Sequence, residues 1–274
     1  MLDQATIETT AVGRSTADFP ASETIAGPAD AGIVILCDHA SNAIPADYAD
    51  LGVARSQLGR HIAYDIGAAG ITRGLAAALG VPAVLSTYSR LLIDPNRGRD
   101  DPTMVMRLSD GAIVPGNARI GEDEIARRVT RYYEPYHAAI TAQIDAGVAA
   151  GKPPVLFSIH SFTPVWKQTP RRWQVGVLWD CDPRFAVPLI EALESEGDLE
   201  VGDNEPYRGS LKGDCLHRHG TGRGLAHALI EIRQDLIADA DGVSSWAERL
   251  ARLVRPLMAR DGFHDIVHYG SHSD

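Results

Sequence analysis

Cysteine is scarce in this sequence. Three residues in 274, Cys37, Cys181 and Cys215, stand far apart and form no CxxC pair. That excludes a disulfide framework and a structural zinc knuckle, and makes a reducing, cytoplasmic setting the expectation. No run of about 18 apolar residues is present, so no membrane-spanning helix is expected. The N-terminus has neither the basic nor the apolar region of a secretory signal. Positive charge is also short: 26 Lys and Arg against 36 Asp and Glu leave a net charge of −10, which argues against a nucleic-acid or anionic-membrane partner. Neither Ser41 nor Ser161 sits in a GxSxG elbow, so serine-hydrolase chemistry is not indicated.

The chain is long enough for one α/β domain with a sizeable core. Residues 1–30, rich in Ala, Thr, Ser, Glu and Pro, read as an extended arm with Phe19 and Pro20 tucked against the body; residues 31–274 read as a single domain. Residues 64–79 are Ala- and Leu-rich and stop at Gly80 before a Val-Pro-Ala-Val-Leu strand, which makes a βαβ unit and predicts a parallel sheet. The pattern further predicts a helix over 122–148 interrupted near Pro135, a loop over 163–172, and strands at 173–179 and 199–201. Helices are predicted over 183–196 and 243–260. A Gly- and Pro-rich stretch reaches Asn117, and a loop of that length is usually functional.

The informative positions are strand ends. Residues 33–36, IVIL, read as a strand buried on both faces, and they give way to Cys37-Asp38-His39-Ala40-Ser41-Asn42. The carboxyl edge of a parallel sheet is where ligands bind. One strand-end His is usually a rim residue. Here the pattern recurs: VLFSIHS at 155–161 ends in His160, and ALIEIR at 228–233 carries Glu231. His, His and Glu on three strand ends point to one site. Neutral imidazoles on rigid strand ends suit a metal, and catalytic zinc takes three protein ligands. Asp65, in HIAYDIG at 61–67, is the expected third, with Asn42 and Asp38 as alternatives; Asp65 also reads as a helix N-cap. Glu231 in an apolar strand is costly unless paired or used. Arg233 shares its face and is one partner; work as general base beside a metal is the other reading. Arg90 and Arg97 flank Asp94-Pro95-Asn96, and a guanidinium can grip a carboxylate or steady an oxyanion. The glycine-rich stretch 204–224 adds Tyr207 and His219 as candidate substrate contacts.

At these residues the chain resembles the N-formylglutamate amidohydrolase family. The pieces are CDHASNAIP (37–45), HIAYDIGA (61–68), SRLLIDPNR (89–97), HSFTP (160–164) and LIEIRQDLI (229–237), in one order across most of 31–240. The resemblance implies a fold similar to zinc-dependent exopeptidases of the carboxypeptidase and aspartoacylase kind: a single α/β domain, a mainly parallel, mixed central sheet, helices on both faces. It implies one Zn2+ on His39 and His160, Glu231 as general base, and a DxNR element at residues 94–97 for the substrate carboxylate. One position departs: a glutamate expected three residues after the first His is Asn42, a poorer zinc ligand, which keeps Asp65 in play. The implied reaction is hydrolysis of the N-formyl (N-acyl) amide of an acidic amino acid such as N-formyl-L-glutamate, giving formate and glutamate. In it Arg90 steadies the oxyanion while Asn96 and Arg97 hold the carboxylate. The rivals are a zinc carboxypeptidase or N-acyl amino-acid deacylase, and a metal- or amino-acid-binding protein without turnover.

Overall fold

Apolar runs with no polar alternation become the centre of a seven-stranded sheet in the computed structural model, which describes residues 19–273. The strands are β1 (Ser22–Ile25), β2 (Ile33–Cys37), β3 (Ala83–Ser86), β4 (Val155–Phe162), β5 (Val175–Leu178), β6 (Val201–Asp203) and β7 (His227–Arg233). Their order across the sheet is β1-β3-β2-β4-β7-β5-β6. Four adjacent strands, β3, β2, β4 and β7, run parallel, while β1 pairs antiparallel with β3 and β5 antiparallel with β7. The expected mainly parallel, mixed sheet is what forms.

Alternation along the strands divides the core in two. Ile35, Phe157 and Ile230 face one side, packed with Leu75 of α1 (Ala68–Leu79), Phe185 of α4 (Pro183–Glu194) and Leu250 of α6 (Ala240–Leu257). Leu36, Leu156 and Leu229 face the other, packed with Tyr136 and Ile140 of α3 (Glu134–Ala149). Helices therefore cover both faces, as a sheet with apolar residues on both sides requires. Two shorter helices matter below: α2 (Glu122–Arg128) leads into α3, and α5 (Cys215–His219) precedes β7.

Several boundaries differ from the sequence reading. Within the expected arm, residues 1–18 lie outside the described residues, but Ser22–Ile25 is the sheet's edge strand, and Phe19 packs edge-on against Tyr132. The irregularity in the long helix is a π-turn at Val129–Tyr133, just before Pro135. Proline cannot donate to the carbonyl four residues back, and the turn widens there instead of breaking. The expected 163–172 loop folds as a small exposed hairpin, Val165–Trp166 against Thr169–Pro170. The strand expected at 199–201 lies two residues later, at Val201–Asp203.

Candidate active site

The same alternation that divides the core places the polar groups. Asp38 continues the Val34, Leu36 face of β2; Ser158 and His160 continue Leu156 on β4; Glu231 continues Leu229 on β7. Register aligns them, with Leu36 opposite Ser158 and His160 opposite Glu231. Three adjacent parallel strands thus deliver polar side chains to one sheet edge, on the α3 side. His39, Asp65, Arg90, Asn96, Arg97, His160, Tyr207 and Glu231 all border one cavity of about 290 Å³.

Asp65 arrives by a backbone device. Its N–H donates to the His39 carbonyl at 2.9 Å, and Gly67, at φ 82°, turns the chain into α1. A Cβ at Gly67 would lie 2.5 Å from the Ile237 carbonyl oxygen, so only glycine fits. The N-cap of α1 is Gly67. The Asp65 carboxylate does not cap the helix; it faces the two imidazoles, with Oδ2 2.8 Å from His160 Nδ1 and 3.4 Å from His39 Nδ1. The far edges of both rings are held by buried carboxylates: His39 Nε2 lies 2.7 Å from Asp94 Oδ1, and His160 Nε2 lies 2.9 Å from Asp38 Oδ2.

Both nitrogens of each ring face a carboxylate. In the neutral tautomer that gives its Nε2–H to Asp94 or Asp38, each ring turns its Nδ1 lone pair toward the centre beside Asp65. Three acceptors then converge, their ligand atoms within 4.8 Å of one another. Such an arrangement needs a positive charge at its centre. In the metal-free chain a proton supplies it: burial pushes the His160 pKa down, but the Asp38 and Asp65 carboxylates outweigh burial and raise it to about 10. A divalent cation fits the same donors, and carboxylates behind metal-binding imidazoles are the usual support. The supports are themselves secured. Asp38 accepts from Tyr136 Oη and Ser158 Oγ, each at 2.9 Å; Asp94 accepts two N–H groups of Arg90, at 3.1 and 2.8 Å. Burial alone would raise both carboxyls, yet the hydrogen bond and charge of His160 hold Asp38, and the Arg90 charge holds Asp94, below the ordinary range.

Glu231 is buried and its Oε2 has no hydrogen-bond partner among the described residues; burial raises its pKa to about 8. The Arg233 ion pair considered from the sequence does not form. That guanidinium turns to Asp235, at 2.8 Å, and to the carbonyls of residues 171–173. Arg90 stands between Asp94 and Asp65, its Nη1 3.6 Å from Asp65 Oδ1. Asn96 Oδ1 accepts from the Cys215 N–H at 3.0 Å, and Arg97 donates to the Asn96 carbonyl at 2.8 Å. Tyr207 is 42% exposed, and the Arg171 guanidinium lies 4.9 Å from its ring centre.

Three expectations are corrected. His219 does not reach the cavity: it closes α5 facing α3, is buried, and its Nε2 lies 2.9 Å from His137 Nδ1. Asn42 is exposed and donates to the Leu58 carbonyl. Asp38 is taken by the far side of His160 and does not face the Nδ1 pair. The sequence reading also passed over Asp214, which borders the cavity and which burial raises to about 7. Only its N-cap role on α5 leaves a trace in sequence.

Comparisons with known proteins place the chain. No curated protein matches the sequence. Among solved structures, a gene product of Agrobacterium tumefaciens matches with a TM-score of 0.83 and 31% identity, over 90% of this chain and 98% of that one. An N-formylglutamate amidohydrolase from Ralstonia eutropha matches with a TM-score of 0.57 and 20% identity, over 86% and 96%; that likeness is one of fold. The family model described as N-formylglutamate amidohydrolase matches residues 31–238, a span that holds every strand end and loop just described, and the chain belongs to the N-formylglutamate amidohydrolase family.

Proposed function

We propose that this protein hydrolyses the amide of an N-acylated acidic amino acid, N-formyl-L-glutamate first among them, with one Zn2+ held by His39, Asp65 and His160. One observation carries the reading: two buried imidazoles turn Nδ1 to the same carboxylate while separate carboxylates hold their Nε2 atoms. Two imidazoles and one carboxylate are a donor set that suits catalytic zinc and leaves a position open. When bound, such an ion supplies Lewis acidity for a carbonyl oxygen and acidifies water.

The chain's own groups do the rest. Glu231, in register with His160, takes a proton from water as the water oxygen bonds to the acyl carbon. It returns that proton to the amide nitrogen as the C–N bond breaks, releasing the carboxylic acid and the amino acid. Arg90, locked by Asp94, presents its guanidinium where the carbonyl oxygen gains charge. Arg97 and the free amide nitrogen of Asn96 are the anchors for the substrate carboxylate. A volume of about 290 Å³ is at the small end for ligand pockets, which favours a short acyl group. Among the described residues no disulfide joins Cys37, Cys181 and Cys215, in keeping with a reducing compartment such as the cytoplasm.

The test is amine release by zinc-loaded protein from N-formyl-L-glutamate, N-acetyl-L-glutamate and N-formyl-L-leucine. N-formyl-L-glutamate should be cleaved fastest. No amine from any of them overturns hydrolysis, and faster cleavage of the leucine derivative overturns the acidic preference.

A further inference from the structure

Cys215 and His219 stand four residues apart on α5, a spacing that puts both side chains on one face of a helical turn. That face meets His137 of α3. The Cys215 Sγ and one ring nitrogen from each histidine lie within 4.8 Å of one another, and all three residues are buried. His137 Nδ1 is 2.9 Å from His219 Nε2, and His137 Nε2 has no hydrogen-bond partner among the described residues. None of the three borders the cavity. The cluster touches the other site through Asp38, which accepts from the Cys215 thiol on one side and from His160 on the other, and through the Cys215 N–H, which donates to Asn96 Oδ1.

We propose that Cys215, His219 and His137 form a second, buried site for a thiophilic divalent cation, with Zn2+ the occupant their ligand types select. One thiolate and two imidazoles are nitrogen and sulfur donors of the kind zinc favours, and three of them leave one tetrahedral position for a further ligand. Bond lengths of about 2.0–2.1 Å to nitrogen and 2.3 Å to sulfur in a tetrahedron place donors roughly 3.3–3.6 Å apart. The two nitrogens therefore separate by about half an ångström and the sulfur closes in, movements within reach of side-chain rotation. Binding releases one proton, from the Cys215 thiol, to solvent. Asp38 loses that donor but keeps Tyr136, Ser158 and His160. The ion cross-links α3 to α5, and α5 is the element whose first N–H holds Asn96 and whose cap, Asp214, borders the cavity. Ligands this buried are loaded as the chain folds.

Cobalt substitution tests this, because His39, Asp65 and His160 include no sulfur. Protein produced with Co2+ should show a thiolate-to-cobalt charge-transfer band in the near ultraviolet. The band should persist in Cys181→Ser and vanish in Cys215→Ser, which should also hold one metal ion fewer per chain than wild type. No band in the wild type means that the two imidazoles are only a hydrogen-bonded pair, and overturns the site. A band lost in Cys181→Ser places the sulfur ligand at Cys181, whose Sγ lies 2.9 Å from His272 Nδ1, and overturns it equally. Should Cys215→Ser fail to fold, X-ray absorption at zinc in Cys181→Ser decides: a sulfur neighbour supports the site, and nitrogen and oxygen neighbours alone overturn it.

Discussion

Glu231→Gln keeps the size of the side chain and removes its ability to carry a proton. If Glu231 is the general base, kcat should fall by about 10²–10⁴-fold, roughly 3–5 kcal/mol of barrier at 1.36 kcal/mol per decade. Zinc content and KM should hardly change. Stability should move the other way. Burial raises the folded pKa from 4.5 to about 8, so the folded chain keeps this proton at pH values where the unfolded chain has released it. The group's contribution is fully present below about pH 4.5 and is lost as pH rises toward 8. At about 1.36 kcal/mol per unit the loss is bounded at roughly 5 kcal/mol. Glutamine does not ionise, so metal-free Glu231→Gln should melt several degrees above metal-free wild type at pH 9, with the gap closing toward pH 5. Calorimetry of chelated protein at pH 5, 7 and 9, with kcat and zinc measured on the same preparation, checks both arms. A variant destabilised at every pH yet fully active per folded molecule would refute the reasoning, because Glu231 would then be an ion-pair partner and not a base.

Other outcomes follow from the same geometry. Replacing His39 and His160 together with Ala should remove zinc from the His39–Asp65–His160 donors and leave the circular-dichroism spectrum of the fold; metal analysis showing no ion lost would place the catalytic metal elsewhere. Arg97→Ala should lose a charge-assisted hydrogen bond, roughly 1.5–3 kcal/mol or 10- to 150-fold in kcat/KM, on N-formyl-L-glutamate but not on an analogue whose α-carboxylate is an amide. Equal losses on both would remove it as anchor. Asp94→Asn takes the charge from behind His39 and from Arg90, and should weaken zinc by about 10- to 100-fold. Competition with a chelator measures this, and unchanged affinity would show that Asp94 does not orient the imidazole.

The central strands were legible because a parallel strand covered on both faces carries an unbroken apolar run, and β2, β4 and β7 each hold one, at residues 33–36, 155–157 and 228–230. Strand direction leaves no such mark, so the antiparallel β5 could not be told from its parallel neighbours. β1 escaped notice because an edge strand of four residues, SETI, with no residue fully buried, carries neither alternation nor an apolar run. Pro135 announced an irregular helix correctly. Its position one turn too late reflects that proline disturbs the residues before it, where the π-turn lies.

Site residues were legible where burial made them expensive: His39, His160 and Glu231 stood out as polar groups on apolar strands. What could not be read was how that expense is met. Choosing Asp65 over Asn42 to face the imidazoles depends on a glycine turn and a backbone hydrogen bond, not on residue type. His219 was misplaced because a glycine-rich surround hides the short helix that Asp214 caps, and with it the Cys215–His219 face. The supporting pairs are more distant still. Asp38 can stay ionised at depth because the His160 hydrogen bond and charge hold it so, and Asp94 because Arg90 does. An Nδ1 lone pair is offered at the site centre only while each Nε2 is held by an ionised carboxylate. The polarity of one metal-sized space is therefore set jointly by β2, β4 and the 89–97 segment. No single stretch of sequence contains that dependence, although each of its members was visible.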